Sequence, residues 1–212
     1  MILYVILIFG CFALLHSLLA ADRIKDLFTR LAGRKFVKVF YRFGYVVISA
    51  IASLAAFGLI SVLPDKVLWN PSTPMKIIMG LLQFSGLLLG LATFSRIDSM
   101  GFIGFKQAMN FIKGREVSGD AEGIEHHLSK DGLYGIMRHP LYTAGILIFS
   151  FIPVITANWL TVSILADLYF IYGALIEERR LIKRFGQEYR DYMKTVPRFF
   201  PRLPHTGQIR NE

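Results

Sequence analysis

The chain has 212 residues, 54% of them apolar or aromatic, and carries a formal net charge of +9 at pH 7. Its mean hydropathy of +0.48 is too high for an ordinary soluble domain and is typical of an integral membrane protein. The cations concentrate in loops beside apolar runs, where membrane orientation explains them, so the positive charge does not indicate nucleic acid as a partner.

Five apolar runs predict an all-α integral membrane protein with five transmembrane helices in one domain. A span needs about 20 apolar residues, and the runs occupy residues 2–20, 43–63, 77–95, 141–156 and 159–176. The tight polar break Thr156-Ala157-Asn158 separates the last two runs, so we expect them to form a helical hairpin. The fourth run is short and contains Pro153, which leaves open whether it crosses the membrane fully.

After the fifth run, apolar side chains recur at helical spacing and charged side chains fill the other faces. This pattern predicts a C-terminal amphipathic helix that lies on the membrane or caps the hairpin, with a bend at Gly186. The single domain is therefore expected to have a three-helix part at 1–96, a cytosolic connector at 97–131, and the hairpin with its C-terminal helix at 132–203. The last part carries the candidate site.

Lysine and arginine are distributed unevenly among the loops. Residues 21–42, residues 96–140 and the segment after residue 176 are rich in them, whereas residues 64–76 contain only two. The positive-inside rule then places the three rich segments in the cytosol, with the N-terminus outside and the C-terminus in the cytosol. A bacterial inner membrane is the default expectation for the host membrane.

A basic cluster precedes the hairpin on its cytosolic side. Pro140 suits the first turn of a helix, and the residue before a proline avoids helical backbone angles, so His139 should lie on an extended approach. The free N–H groups of a helix start bind anions, and Arg138 can add a bidentate fork for the same anion. The plainer alternative is that Arg138 reaches out to lipid headgroups.

An acidic pair, Glu177-Glu178, follows the hairpin on the same side. Acids near a helix C-terminus oppose the helix dipole, so they need cations, or a ligand with an ammonium or hydroxyl groups, close by. Arg179 and Arg180 offer the plainer explanation. A metal is not expected, because no cluster of His, Cys and Asp with ligand spacing accompanies the pair.

Two further polar residues lie within or at the edge of apolar runs. Asp167 lies in the fifth run, where a carboxylate is costly, and it either ties helices together or relays protons. His16, followed by Ser17 at a cytosolic boundary, makes a hydrogen bond between helices or takes part in a site. The sequence leaves both roles open.

Together these residues resemble the membrane methyltransferases that include isoprenylcysteine carboxyl methyltransferases and phospholipid N-methyltransferases. The matching pattern is His126-His127-Leu128, Gly132, Tyr134, Arg138-His139-Pro140, Tyr142, Glu177-Glu178, Leu181, Phe185-Gly186, Tyr189, Tyr192, Val196, Arg198 and Pro201. The N-terminal half is similar to a narrower branch, the NnrU-like proteins and methanethiol S-methyltransferases. Its cues are His16-Ser17, Phe40-Tyr41-Arg42, Asp98, Gly101-Phe102 and Gly104.

The resemblance implies S-adenosyl-L-methionine as methyl donor, held between the two ends of the hairpin. The residues that it assigns to the donor are His126, Leu128, Gly132, Tyr134, Arg138, His139, Tyr142, Glu177 and Glu178. His139, Arg198 and His16 are the catalytic candidates, as proton acceptors or as groups that orient an acceptor. The acceptor is expected to be small and hydrophobic or lipid-like, with a thiol favoured, and the oligomeric state stays open.

Three alternatives remain at this stage. The acceptor is a lipid amine or a prenylcysteine carboxylate; or the chain is a membrane reductase that uses a nicotinamide cofactor; or it is a non-enzymatic NnrU-like transporter or assembly protein. Asp167, as a proton-relay carboxylate, is the feature that favours the last of these.

Overall fold

The computed structural model describes residues 1–96, 98–115 and 128–201. In chain order the elements are α1 (Ile2–Ala20), α2 (Asp22–Ala32), α3 (Arg34–Phe36), a π-helical turn (Val37–Tyr41), α4 (Arg42–Ser61), β1 (Val67–Trp69), α5 (Thr73–Phe94), α6 (Ser99–Phe102), α7 (Phe105–Ile112), α8 (Leu133–Ile136), α9 (Pro140–Ser150), β2 (Ile155–Thr156), α10 (Ala157–Phe185) and α11 (Gln187–Thr195). The helical membrane class that the apolar runs predicted is confirmed.

The described residues contain four helices that are long and apolar enough to cross a membrane: Ile2–Ala20, Arg34–Ser61, Thr73–Phe94 and Ala157–Phe185. The fourth apolar run instead forms α9, which has only 11 residues. At 1.5 Å per residue, such a helix is about half as long as the apolar core of a bilayer. The predicted count of five spanning helices is therefore not confirmed.

The fourth run nevertheless follows α5 along most of its length. Gly90 faces Ala144, Gly86 faces Leu147, and Gly80 faces Pro153, so the two segments run antiparallel. A Cβ placed on Gly86 would lie 2.7 Å from the Leu147 Cβ and 2.9 Å from the Ala144 carbonyl oxygen. Small residues spaced four apart allow helix backbones to approach closely in membranes, and Gly86 and Gly90 have this spacing.

The end of α9 lies among apolar side chains, yet its last carbonyls accept hydrogen bonds. Gln83 Nε2 donates to the Ile148 carbonyl over 3.0 Å. Trp159 Nε1 and Ser163 Oγ both donate to the Phe149 carbonyl, over 3.1 and 2.6 Å. Since an unpaired backbone group is costly inside a bilayer, these side chains allow a short helix to end at this depth.

The turn of the hairpin is fixed to the loop between α4 and α5. β1 pairs antiparallel with β2, the Ala157 N–H donates to the Lys66 carbonyl, and the Asn158 N–H donates to Asp65 Oδ1. Both loops therefore lie at one end of the helix bundle, as the cation count predicted for a shared side. Which side of the membrane that end faces stays a prediction.

At the other end of the bundle, α10 stops at Gly186, whose φ of 59° is a left-handed value that favours glycine. α11 then folds back, and its Tyr189 and Tyr192 are buried at 1% and 6% exposure. They pack against Leu128, Leu181, Ile182 and Phe185. Of the two expected positions for the C-terminal helix, the structure has the one that caps the hairpin.

Asp167 ties the two arms of the hairpin together. Its Oδ2 accepts a hydrogen bond of 2.6 Å from Ser150 Oγ, at the end of α9. This is the helix-tying role that the sequence left open beside proton relay.

A candidate active site where the hairpin ends meet

The two polar clusters at the hairpin ends meet around one buried carboxylate. Glu178 is 3% exposed. Its Oε1 accepts hydrogen bonds from Arg138 Nε and Nη2, over 3.0 and 2.7 Å, and lies 3.2 Å from His139 Nε2. Arg198 approaches from the C-terminal segment and donates from Nε to Oε1 over 3.0 Å and from Nη2 to Oε2 over 2.7 Å.

Arg138 also holds the C-terminal segment in place. Its Nη1 donates to the carbonyls of Met193 and Val196, over 2.9 and 2.8 Å. The backbone N–H groups of Arg138 and His139 donate to the carbonyls of Pro197 and Arg198, over 2.9 and 3.0 Å. Four of the five N–H groups of the guanidinium thus donate to the protein, and the side chain is only 7% exposed.

The charges of this cluster do not cancel. Two guanidinium groups share the single Glu178 carboxylate, so the cluster carries about one positive charge when His139 is neutral. Hydrogen bonding to Glu178 raises the pKa of Arg198 above its usual value. Arg198 is the more accessible of the two cations, at 34% side-chain exposure, and can meet an anionic group of a ligand.

A cavity of about 410 Å³ adjoins the cluster. Its walls are formed by Phe102, Tyr134, Arg138, His139, Pro140, Leu141, Tyr142 and Glu177. Cavities that bind small molecules have volumes of about 300–1,000 Å³. The cavity therefore has the size of a small-molecule site, and it mixes aromatic rings with charged groups.

The two neighbouring acids have different environments. Glu177 lines the cavity with a side chain 46% exposed, and its Oε2 lies 3.9 Å from His139 Nδ1. Glu178 lies behind the cavity wall, and its two carboxylate oxygens are occupied by Arg138, His139 and Arg198. The sequence assigned both acids to the donor, whereas only Glu177 of the pair lines the cavity.

Phe102 is a wall residue outside the set that the sequence assigned to the donor. Asp98 caps α6 by accepting from the Gly101 N–H over 3.1 Å and pairs with Lys106 over 2.8 Å. Arg42 lies over the Phe102 ring, 4.6 Å from its centroid, and donates to the Phe102 carbonyl. Phe102 thus closes one side of the cavity, and the Asp98 cap fixes the short helix that carries it.

The other residues assigned to the donor are not all at the cavity. Tyr134 and Tyr142 line it. Leu128 instead packs against the buried tyrosines of α11, and Gly132, with a φ of 58°, begins the turn into α8. His126 lies outside the described residues.

His16 lies in a second polar cluster, formed between α1, α4 and α10. Its Nδ1 lies 3.0 Å from Ser49 Oγ and its Nε2 lies 2.8 Å from the Tyr45 hydroxyl. Next to it, Ser17 Oγ lies 3.0 Å from the Tyr169 hydroxyl. Tyr142, in the cavity wall, lies against α10 one helical turn from Tyr169, since a Cβ at Gly173 would lie 3.5 Å from the Tyr142 hydroxyl. The structure therefore brings His139 and Arg198 together and places His16 in a separate cluster, whose Tyr169 lies next to the Tyr142 wall.

Comparisons with known proteins show which family resembles this chain. The sequence profile of the phospholipid methyltransferase family matches residues 75–188, just over half of the chain. Methanethiol S-methyltransferase 1 of Bradyrhizobium diazoefficiens is 29% identical over 92% of this chain, and methanethiol S-methyltransferase 2 of the same organism is 30% identical over 95% of it. The methanethiol S-methyltransferase of Mycobacterium tuberculosis is 27% identical over 94% of the chain.

These relatives are longer proteins. The chain spans 65% of the length of the first, 74% of the second and 78% of the third. No solved structure matches the chain.

Proposed function

Because this chain belongs to the phospholipid methyltransferase family, we propose that it transfers a methyl group from S-adenosyl-L-methionine to a small hydrophobic thiol at the cytosolic face of a membrane. The relatives named methanethiol S-methyltransferase support the thiol as acceptor. The observation that carries the proposal is the cavity of about 410 Å³ at the joined hairpin ends. The reductase and transporter alternatives receive no support from the comparisons.

The cavity offers a matching group for each part of the donor. Glu177 can accept from the ammonium or the ribose hydroxyls, and Arg138, the cation in the cavity wall, can meet the carboxylate. The faces of Tyr134, Tyr142 and Phe102 suit the sulfonium and the adenine ring, since aromatic faces attract cations. These contacts are consistent with a donor site and leave Glu178 to its structural role.

Methyl transfer demands little acid or base chemistry from the protein. The acceptor sulfur forms a bond to the methyl carbon, while the bond from that carbon to the sulfonium sulfur breaks and its electron pair neutralises the sulfonium. The thiol proton leaves to a base. Most of the rate then comes from holding the sulfur in line with the methyl group and from excluding water.

His139 and His16 are the candidate proton acceptors, and their positions suggest different roles. His139 is 4% exposed, lines the cavity, and has its Nε2 at Glu178 and its Nδ1 facing Glu177. His16 bonds to Tyr45 and lies near Tyr169, with ring centroids 6.1 Å apart. We assign to His16 the role of accepting the thiol proton, and to His139 the role of shaping the donor site.

The test is methylation of methanethiol by the detergent-purified protein, with dimethyl sulfide measured by gas chromatography and donor binding measured by calorimetry. We expect both signals in the unmodified protein. His16→Gln should lower turnover at neutral pH more than at pH 10, where free thiols ionise without help, and should leave donor binding unchanged. His139→Gln should weaken donor binding. A folded sample that binds no donor at millimolar concentration would refute the proposal.

A further inference from the structure

A second cavity lies at the same end of the bundle, beneath the amphipathic helix α2. It is a groove of about 420 Å³, and its walls include Phe28, Phe36, Phe40, Phe43, Gly44 and Tyr45. Phe28 packs edge-on against Tyr41, with ring centroids 5.4 Å apart. The π-helical turn before α4 brings Phe40 to one wall of the groove. Aromatic side chains thus form most of its surface.

The polar atoms at the edge of this groove already have partners. The Tyr41 hydroxyl donates to the Leu19 carbonyl over 2.7 Å, and the Tyr45 hydroxyl lies 2.8 Å from His16 Nε2. The surface offered to a ligand is therefore hydrocarbon. Such a surface favours an apolar chain over a charged headgroup, because a buried charge without a partner is costly.

One end of the groove adjoins the proposed reaction site. Tyr45 belongs both to the groove wall and to the His16 cluster. In that cluster Ser17 Oγ lies 3.0 Å from the Tyr169 hydroxyl, and one helical turn further a Cβ at Gly173 would lie 3.5 Å from the hydroxyl of Tyr142, in the wall of the donor cavity. A molecule with one apolar end and one sulfur can therefore lie with its chain along the groove and its sulfur at His16 and Tyr142. A lipid acyl chain ends in an ester or a carboxylate and has no thiol to place there.

We propose, on the basis of the proposed function, that this groove binds the hydrocarbon tail of the acceptor, so that the enzyme methylates alkyl thiols longer than methanethiol. A one-carbon thiol leaves most of a space of about 420 Å³ unused. The reaction is unchanged: the thiol sulfur gains the methyl carbon, the donor becomes a neutral thioether, and the thiol proton leaves through His16 to solvent.

The experiment measures kcat/KM for methanethiol, butanethiol, hexanethiol and octanethiol with the full-length protein in one detergent. Each added methylene that enters the groove should raise kcat/KM about 4-fold until the groove is full. Gly44→Leu fills the groove, since a Cβ at Gly44 meets nothing within 4 Å. Gly58→Leu is the matched control, because Gly58 is on the same helix, also has open space around its Cβ, and lies outside the groove.

The readout is the kcat/KM for octanethiol divided by the kcat/KM for methanethiol. Partition of each thiol into micelles is the same for every variant, so it cancels when this ratio is compared between variants. Gly44→Leu should lower this ratio at least tenfold, and Gly58→Leu should leave it at the unmodified value. Phe28→Ala enlarges the groove and should move the best substrate to a longer thiol, so the idea stays testable if Gly44→Leu does not fold.

The outcomes separate the two proposals. Two results overturn the groove proposal alone: methanethiol is methylated but kcat/KM does not change with the length of the thiol, or the octanethiol to methanethiol ratio is the same in all variants. The groove is then a crevice filled by lipid. Absence of turnover with every thiol overturns the proposed function together with this inference.

Discussion

Replacing each acid of the Glu177-Glu178 pair by glutamine should give opposite results. The two substitutions are chemically identical and one residue apart. Glu177 is 46% exposed on the cavity side, whereas the Glu178 side chain is 4% exposed and bonded to two guanidinium groups. We therefore expect Glu177→Gln to affect the donor and Glu178→Gln to affect the fold.

The magnitudes follow from these environments. Breaking a buried ion pair costs about 3–5 kcal/mol, and the partial exposure of Arg198 favours the lower figure, so Glu178→Gln should lower the free energy of unfolding by about 3 kcal/mol. For a protein of this length that is a fall in Tm of about 6–12 °C. Glu177→Gln should change the free energy of unfolding by less than about 0.5 kcal/mol. It should weaken donor binding by about 10-fold to 150-fold, the equivalent of one charged hydrogen bond of about 1.5–3 kcal/mol.

Thermal unfolding followed by the fluorescence of Trp69 and Trp159, together with calorimetric titration of the donor, measures both effects on the same samples. The reasoning is refuted if Glu177→Gln unfolds at a markedly lower temperature with normal donor affinity. It is refuted equally if Glu178→Gln keeps full stability.

Two further predictions concern the packing around the site. Gly86→Ala should lower the free energy of unfolding by about 1–3 kcal/mol in thermal melts, because its Cβ would press on the α9 backbone, whereas Gly10→Ala, whose Cβ meets nothing within 4 Å, should be neutral. Asp98→Ala should lower the free energy of unfolding by about 1 kcal/mol at pH 7 through loss of the α6 cap. Hydrogen bonding to Lys106 lowers the pKa of Asp98 below its ordinary 3.8, so the carboxylate stabilises the fold above that value and loses this contribution as the pH falls through its folded pKa. The difference in Tm between Asp98→Ala and the unmodified protein should therefore shrink below pH 4.

The sequence predicted the positions of the long helices and the hairpin that joins the two polar clusters. Hydropathy settles these features, because span length and turn residues are local properties. It left open whether the fourth run crosses the membrane, and the structure has a helix of only 11 residues there. That outcome depends on Gln83, Trp159 and Ser163, which satisfy the carbonyls at the end of α9 from distant positions in the chain.

The site was predicted in outline but not in its internal division. The motif pattern selected Arg138, His139, Glu177 and Glu178, and all four lie where the hairpin ends meet. It did not show that Arg138 bonds to Glu178 or that only Glu177 of the pair lines the cavity. Helical spacing gives the angle between two side chains, but it does not show which group of another element each side chain meets. Phe102 was not assigned to the donor, because its position at the cavity depends on a contact with Arg42, 60 residues earlier.

The bonds from Arg138 to the C-terminal segment have a consequence for biosynthesis. Met193, whose carbonyl Arg138 binds, follows it by 55 residues. At an elongation rate of about 5–20 residues per second, a ribosome needs about 3–11 s to supply that partner after Arg138 has been made. During that interval α9, α10 and most of α11 are still being translated, so the pocket is incomplete. Newly made molecules are therefore catalytically silent until their translation has passed that point.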